Sequence, residues 1–148
     1  MYERILIATD GSELAGRAVD HGIGLAKAVG ASVLFVTVTE LWSALEIAGE
    51  YEDGELDAVR AYEKVAAKSA EKTLSDCARR AASEGVAAKT RHVADRRPAE
   101  GIMTTADRED CDLIVMATHG RRGVQKMLIG SQTAEVLALS KRPVLVLR

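Results

Sequence analysis

The sequence has few of the residues that cross-link a chain or bind metals. Its 148 residues include two cysteines, Cys77 and Cys111, and three histidines. The cysteines lie far apart and form no C-x-x-C pair, and the histidines are scattered. A disulfide framework and a structural zinc site are therefore not expected.

Long apolar runs are also missing. No stretch approaches the roughly 20 apolar residues that a membrane-spanning helix requires. The first residues, Met1–Ile5, are typical of a strand and lack the apolar centre of a secretory leader. We therefore expect a cytoplasmic protein that does not insert into membranes.

Basic charge and aromatic rings are too sparse for general nucleic-acid binding. The formal net charge is −2, and the aromatic residues are one tryptophan, three tyrosines and one phenylalanine. Nucleic-acid binding needs a broad basic face or a platform of stacked rings, so we expect no nucleic-acid partner. The remaining composition, 47% hydrophobic and 28% charged, is that of one globular domain spanning residues 1–148.

Short β-branched runs alternate along the chain with longer segments of helical periodicity. This alternation predicts right-handed strand–helix–strand units, and so a single-domain, Rossmann-like α/β fold with an open parallel sheet and helices on both faces. The predicted strands are Arg4–Ala8, Ser32–Val38, Val86–Val93, Asp112–Ala117 and Pro143–Leu147. The predicted helices run from Leu14 to Val29, from Val59 to Ala81, from Pro98 through Ala106, and from Ser131 to Leu139.

The longest predicted helix carries one apolar stripe, which we expect to face the core. Cys77 lies on that stripe and is therefore interpreted as core filler rather than a reactive thiol. The acidic segment 40–57 before the helix is expected to be a solvated loop or a flexible helix start, and the role of Trp42 within it stays open. The stripe comprises Val59, Tyr62, Ala66, Ala70, Thr73, Cys77 and Ala81.

Small and polar residues follow two of the predicted strands. Thr9-Asp10-Gly11 come after the first strand, and Ala117-Thr118-His119-Gly120 end the fourth. Ligands of open α/β sheets bind beyond the carboxyl ends of the strands, where the strand order reverses. We take these two segments as the walls of a binding crevice and favour a functional role for Asp10.

The segment Ala117–Ser131 is the candidate anion-binding loop. Gly120 and Gly123 tolerate positive φ and allow a bulky anion to approach the backbone. The helix that opens at Gly130-Ser131 directs unpaired N–H groups and a positive dipole end at the crevice. Residues that add hydrogen-bond donors or positive charge to the loop are Arg121, Arg122, Lys126, Ser131 and Thr133.

The spacing of this loop alone fits a second interpretation equally well. The glycines can simply form a tight turn, with Ser131 as the N-cap of the following helix. The loop is neither a P-loop nor the dinucleotide fingerprint of a Rossmann domain. Its glycine spacing therefore leaves a phosphate site and a structural turn as open alternatives.

Four segments together carry a more specific signal: Ile5–Ser12, Asp112–Gly123, Gly130-Ser131 and Arg142–Val146. With them, the chain resembles the universal stress protein family over essentially its whole length. The nucleotide-binding branch of that family has the pattern G-x2-G-x9-G-[ST]. The corresponding residues of this chain are Ala117, Gly120, Gly130 and Ser131.

The resemblance implies a sheet with strand order 3-2-1-4-5 that binds ATP across strands one and four. It implies that adenine lies near Ala8, Thr9 and Val38, and that Asp10 lies near the ribose or a phosphate-bound Mg or Mn ion. Ala117 and Ala8 depart from the family, which has glycine at the first position and proline or valine at the second. The residues implied for the triphosphate are Thr118, His119, Gly120, Arg121, Arg122, Gly123, Gly130, Ser131, Gln132 and Thr133.

The resemblance implies an ATP-binding stress-response protein whose nucleotide occupancy acts as a signal or switch. We find no paired carboxylates, Ser–His–Asp set or Walker acid to act as a general base, so the sequence favours a binding protein over an enzyme and no catalytic residue is assigned. Two alternatives stay open. One is a slow metal-dependent ATPase that uses Asp10, and the other is a dimeric stress protein whose site is closed by Ala8 and Ala117.

The last predicted strand points to self-association. In the implied order it lies at the edge of the sheet, yet Val144–Leu147 is an unbroken apolar run. An exposed apolar edge promotes aggregation unless it is paired. We therefore expect a two-fold homodimer that joins these strands antiparallel, as the resemblance also implies.

Overall fold

The computed structural model of the chain describes residues 1–40, 55–120 and 129–148. Within these ranges, strands and helices alternate as the sequence predicts. The strands are β1 (Arg4–Ala8), β2 (Ser32–Thr39), β3 (Ala88–Ala94), β4 (Leu113–Ala117) and β5 (Val144–Leu147). The helices are α1 (Glu13–Val29), α2 (Glu55–Ser83), α3 (Pro98–Arg108) and α4 (Ser131–Leu139).

The strands form one parallel sheet in the order β3-β2-β1-β4-β5, which confirms the predicted fold class and strand order. The chain builds outward from β1 through β2 to β3, then returns across the sheet and builds outward again from β4 to β5. Ile7 of β1 lies opposite Val115 of β4 in the register between them. The strand order therefore reverses between β1 and β4, and their carboxyl ends flank the switch point.

The sheet is buried on both faces because the strand side chains alternate between two apolar clusters. Ile5 and Val115 belong to the cluster on the side of α1 and α2, whereas Leu6 and Ile114 belong to the cluster on the side of α3 and α4. All four are fully buried. Covering of both faces explains why β1, β2 and β4 are mainly apolar runs rather than alternating ones, whereas the edge strand β3 carries exposed polar residues.

Helix α1 begins and ends at residues that the sequence marks. Ser12 is the N-cap, and its side chain accepts a hydrogen bond from the Ala15 N–H at 3.2 Å. Gly30 ends the helix in the left-handed conformation, with φ of 74°, as its position predicts. The Ser12 cap lies in the turn that follows β1, where the crevice begins.

The third strand begins two residues later than predicted. Val86 was expected in the strand, but its N–H donates to the Ala81 carbonyl at 2.9 Å. Gly85 before it has φ of 73°. This is the hydrogen-bond pattern of a helix C-terminus, in which the residue after the left-handed glycine packs back on the helix. Val86 is buried for that reason, although β3 starts only at Ala88.

Helix α2 differs from the prediction at its amino-terminal half. It begins at Glu55, so residues 55–57 are a helix start, which is one of the two alternatives that the sequence left open for the acidic segment. Ala70, Cys77 and Ala81 are buried as expected, but Tyr62 is 39% exposed. Trp42 and the rest of the predicted acidic loop, residues 41–54, lie outside the described residues.

Burial governs the chemistry of both cysteines. Desolvation raises the pKa of the Cys77 thiol and raises that of Cys111 to about 11. Both are therefore protonated at neutral pH, which confirms Cys77 as core filler. In the part of the chain that the structure describes, no helix is long and apolar enough to cross a membrane.

Candidate functional site

One wall of the crevice is the backbone that leaves β1. The N–H of Thr9 donates to the Val36 carbonyl at 2.9 Å and so extends the pairing of β1 with β2 by one residue. The Thr37 hydroxyl donates to the Thr9 carbonyl at 2.8 Å. Thr9 is buried, and both of its backbone polar groups are held by the sheet. The site therefore begins on a rigid strand end rather than on a loop.

The turn after Thr9 orients Asp10. Gly11 has φ of 77°, a conformation that favours glycine, and it lets the chain reverse into α1. The Asp10 carboxylate accepts the Ser12 N–H at 2.9 Å through Oδ1. Asp10 thus stabilises the turn, while Ser12 caps the helix. The carboxylate is held at the mouth of the crevice by local backbone geometry.

The other wall leaves β4 through Thr118, which lies between two elements. Its N–H donates to the Leu147 carbonyl of β5 at 2.8 Å, and its carbonyl accepts the Gly130 N–H at 2.7 Å. A Cβ at residue 130 would lie 3.1 Å from that carbonyl oxygen and 3.3 Å from the His119 Cβ. Gly130 has an ordinary φ of −68°, so glycine is needed here for close approach and not for backbone freedom.

The two walls meet at Gly120. A Cβ at this residue would overlap the carboxylate of Asp10, so the loop after β4 rests directly on the turn after β1. The structure therefore brings together the two strand ends that the sequence marks. Gly120 does not have positive φ, so its tolerance of that conformation is not used, and the close contact with Asp10 depends on its lack of a side chain.

The start of α4 differs from the alternative in which the loop is only a tight turn with Ser131 as the helix N-cap. Gly130, not Ser131, is the N-cap, and it makes no side-chain capping bond. Ser131 is the first helical residue and is exposed. The first N–H groups of a helix have no acceptor within it, and their dipoles attract anions. Because no side chain at the N-cap position occupies them, a ligand with negative oxygens can use them.

Two side chains of this first turn form hydrogen bonds with β4 and α3 and do not face the crevice. The Thr133 hydroxyl donates to the Ala117 carbonyl at 3.0 Å and is buried, so it does not serve as the phosphate donor that the sequence suggested. The Gln132 side chain accepts the Ala99 N–H of α3 at 3.0 Å through Oε1. At these positions the groups that can meet a ligand belong to the backbone.

Residues of α3 that the sequence interpretation missed help to hold α4. Arg97 is the N-cap of α3 without a side-chain capping bond, so Gln132 supplies the missing acceptor from the neighbouring helix. Arg97 also forms an ion pair of 2.7 Å with Glu135 of α4. The signal was present in part, because Pro98 in a first turn follows a residue that is a poor cap.

The small residues predicted for the site place their side chains in the core. Ala117 belongs to the cluster on the α1 side and Ala8 to the cluster on the α3 side. Val38 packs against α3, where a Cβ on Gly101 would lie 2.9 Å from each of its methyl carbons. None of these side chains needs space in the crevice, so only their backbone borders it.

The remaining predicted residues are His119 and the cationic part of the loop. Nδ1 of His119 is buried and has no hydrogen-bond partner among the residues that the structure describes. Arg121, Arg122, Gly123 and Lys126 lie outside those residues. Over residues 1–40, 55–120 and 129–148, no group of three His, Cys, Asp or Glu side chains is arranged to hold a metal ion.

A parallel sheet whose strand order reverses between two central strands defines a doubly wound α/β domain. Domains of this class bind ligands in the crevice at the switch point, which here is bordered by a helix with a glycine N-cap. The model of the universal stress protein family matches residues 1–148. The chain belongs to the universal stress protein family. Universal stress protein YxiE of Bacillus subtilis is 32% identical over 156 aligned positions that cover all of both chains.

Solved structures share the fold along the whole chain. The protein MJ0577 of Methanocaldococcus jannaschii is 25% identical, has a TM-score of 0.84, and is matched over 99% of this chain and 96% of its own. A universal stress protein in complex with cAMP is 24% identical, with a TM-score of 0.73 and coverage of 99% and 97%. One from Archaeoglobus fulgidus in complex with dAMP is 21% identical, with a TM-score of 0.69 and coverage of 99% and 98%.

The contact between Gly130 and Thr118 predicts that Gly130→Ala destabilises the fold. The added methyl crowds a backbone carbonyl that cannot rotate away, and overpacking of this kind costs about 1–3 kcal/mol. Gly24→Ala is the matched control, because a Cβ there meets nothing within 4 Å on the exposed side of α1. It should stabilise by about 0.5–1 kcal/mol. Urea denaturation followed by circular dichroism compares the two, and an unchanged midpoint for Gly130→Ala contradicts the packing argument.

The bond from Gln132 to α3 predicts a second stability effect. Gln132→Ala removes the acceptor of the Ala99 N–H, and loss of a capping acceptor costs about 0.5–2 kcal/mol. Gln132→Glu keeps the acceptor and adds a charge that suits a helix start, so it should equal the wild-type chain. The same denaturation experiment measures both variants. Equal losses for the two substitutions rule out a capping role.

Proposed function

We propose that this chain is an ATP-binding protein of the cytoplasmic stress response, in which nucleotide occupancy acts as a signal or switch. The observation that carries the proposal is the start of α4. It lies at the switch point of the sheet, has a glycine N-cap without a capping side chain, and is held against Thr118 by a hydrogen bond of 2.7 Å. These features suit a phosphate chain.

Binding of the phosphates is supported by the arrangement of side chains at the start of α4, because none from residues 130, 132 or 133 enters the crevice. Gly130 has no Cβ, and the side chains of Gln132 and Thr133 are directed to α3 and β4. The N–H groups of Ser131, Gln132 and Thr133 are then the donors for phosphate oxygens. Because Ala117 packs its methyl group in the core, its departure from the family glycine leaves this approach open.

Binding of the adenine base is supported by the directions of the backbone N–H and carbonyl groups at the end of β2. Successive residues of a strand direct their backbone groups to opposite neighbours. Val36 offers its carbonyl to β1, and Thr39 offers its carbonyl to the N–H of Asp95 after β3. Val38 shares the parity of Val36, so its N–H and carbonyl face the space beyond the end of β1. One donor and one acceptor there match the N1 and 6-amino groups of adenine.

Two further points support a nucleotide switch rather than an efficient enzyme. The cAMP and dAMP complexes of proteins with this fold each contain an adenine nucleotide, which favours this ligand class. Asp10 is the carboxylate at the crevice, and it already accepts the Ser12 N–H. We propose that it lies beside the ribose or a phosphate-bound divalent ion, with no assigned general base.

The proposal predicts that Ser131→Asp weakens nucleotide binding without unfolding the protein. A carboxylate in the first turn of α4 suits the helix dipole but repels phosphate. We expect at least about a tenfold loss of ATP affinity by calorimetry, equal to about 1.4 kcal/mol. Thr104→Asp, on an exposed position of α3, adds the same charge outside the crevice and should bind normally.

A direct experiment precedes the variants. Protein as purified is denatured, and released nucleotide is identified by chromatography, while added ATP is tested for a rise in the melting temperature. The proposal expects a released adenine nucleotide or a thermal shift. Neither result in the wild-type chain would overturn it, and equal affinities of Ser131→Asp and Thr104→Asp would remove α4 from the site.

We also propose that the chain forms a homodimer through β5. The two edge strands of the sheet differ in charge: one carries charged side chains that oppose strand pairing, and the other carries none. Edge strand β3 exposes Lys89 and Arg91, and charges of this kind prevent strand pairing. Edge strand β5 exposes Leu145 at 38% and carries no charge between Val144 and Leu147. Antiparallel pairing about a two-fold axis covers this apolar edge.

The dimer predicts that Leu145→Lys produces monomers. The side chain is exposed in the single chain, so the substitution leaves the fold intact while a charge on each protomer opposes pairing. Thr90→Lys on the β3 edge is the matched control and should leave the mass unchanged. Sedimentation at micromolar concentration measures both. A wild-type chain that sediments only as a monomer removes the proposal.

A further inference from the structure

In the first half of α2, no side chain is buried between residues 58 and 69, the part of this half whose side chains the structure describes. Residues 58–69, called here the overhang, are exposed or partly exposed throughout. The second half buries Ala70, Leu74, Cys77 and Ala81 against the sheet. An unpacked helix of about 12–15 residues is marginal in water, so the overhang gains little from its own chain. Because α2 runs antiparallel to the strands that it connects, the overhang lies at the same edge as the crevice.

The overhang carries an apolar stripe on a side away from the core. Ala58, Ala61, Tyr62 and Val65 are all exposed, and their spacing of i, i+3, i+4 and i+7 places them on one face. Val65 is 69% exposed and Tyr62 39%. The stripe is distinct from the buried face, which continues through Ala70 and Leu74. It is therefore a second apolar face that residues 1–40, 55–120 and 129–148 leave exposed.

A row of lysines runs beside this stripe. Lys64, Lys68 and Lys72 are exposed and stand at i, i+4 and i+8, so they line up along the helix. Near the carboxyl end of α2, by contrast, Arg79 pairs with Asp76 and Arg80 with Asp20. In the described ranges, none of the three lysines is within 4 Å of a carboxylate oxygen. Three aligned like charges disfavour the helix unless opposite charges approach them.

We propose that the overhang, together with Lys72 just beyond it, is a docking surface for an acidic amphipathic segment of another protein. Carboxylates at helical spacing on the partner pair with Lys64, Lys68 and Lys72, and an apolar side chain of the partner covers Tyr62 and Val65. An apolar stripe beside a row of positive charges is complementary to an amphipathic segment with a row of negative charges. The residues of this surface are distinct from those of the crevice and of β5.

Three other occupants fit the surface less well. A second copy of the overhang would bring one lysine row toward another. A membrane-surface helix needs large apolar side chains, whereas this stripe is mainly alanine and valine with one tyrosine. A nucleic acid needs a broader basic face, and here Glu63 and Glu71 interrupt the positive charge. An acidic protein segment meets none of these objections.

The test uses the full chain and two fluorescent helical peptides. One peptide carries three glutamates at i, i+4 and i+8 beside a leucine stripe, and the other replaces each glutamate with glutamine. Fluorescence anisotropy should show binding of the first peptide only. The variant K64E/K68E/K72E should bind it at least about tenfold more weakly, the sum expected of three exposed ion pairs. V65D, which removes the apolar contact, should also weaken it.

The control variant is K89E/R108E/K141E, which makes the same change of net charge at exposed positions elsewhere. Equal weakening by this control, or equal binding of the glutamine peptide, overturns the proposal. A lower unfolding midpoint for K64E/K68E/K72E overturns it also, since the lysines then act within the chain. Binding to phosphatidylserine vesicles that the triple variant abolishes assigns the surface to lipid, and a dimer that V65D dissociates assigns it to a second copy.

Discussion

The hydrogen bond from the Gly130 N–H to the Thr118 carbonyl is the contact on which the site depends. At 2.7 Å it brings the start of α4 against the end of β4, and a Cβ at residue 130 would lie 3.1 Å from the same carbonyl oxygen. Thr118 also binds β5, because its N–H donates to the Leu147 carbonyl. One backbone unit at the switch point therefore fixes a helix start on one side and an edge strand on the other.

Three side chains reinforce this placement and thereby leave ligand contacts to the backbone. Thr133 donates to Ala117, Gln132 accepts from Ala99, and Glu135 pairs with Arg97. Together they tie α4 to both β4 and α3. Rigid support of this kind preorganises a binding site, because the donors do not have to be ordered when the ligand arrives. Backbone N–H groups also recognise phosphate oxygens without depending on side-chain identity.

The sequence predicts the elements well but not the directions of side chains. Strands covered on both faces must be continuous apolar runs, which is why β1, β2 and β4 were recognisable. Periodicity shows that a helix has an apolar face but not what covers it, so Tyr62 was placed in the core although α2 extends beyond the sheet. Hydroxyl and amide groups near a glycine loop suggest ligand contacts, whereas the bonds of Thr133 and Gln132 join residues distant in sequence.

A nucleotide can act as a signal only if it binds two arrangements of the protein with different affinity. The contacts nearest to the proposed phosphate site run from Gly130 through Thr118 to Leu147, and so from the start of α4 to the edge strand. The contact between Gly130 and Thr118 is closely packed, so Gly130 cannot move toward β4. If the proposed ligand repositions the first turn of α4, it acts on β5 through these backbone hydrogen bonds, and the proposed pairing of two β5 strands would bias the nucleotide site by the same free energy.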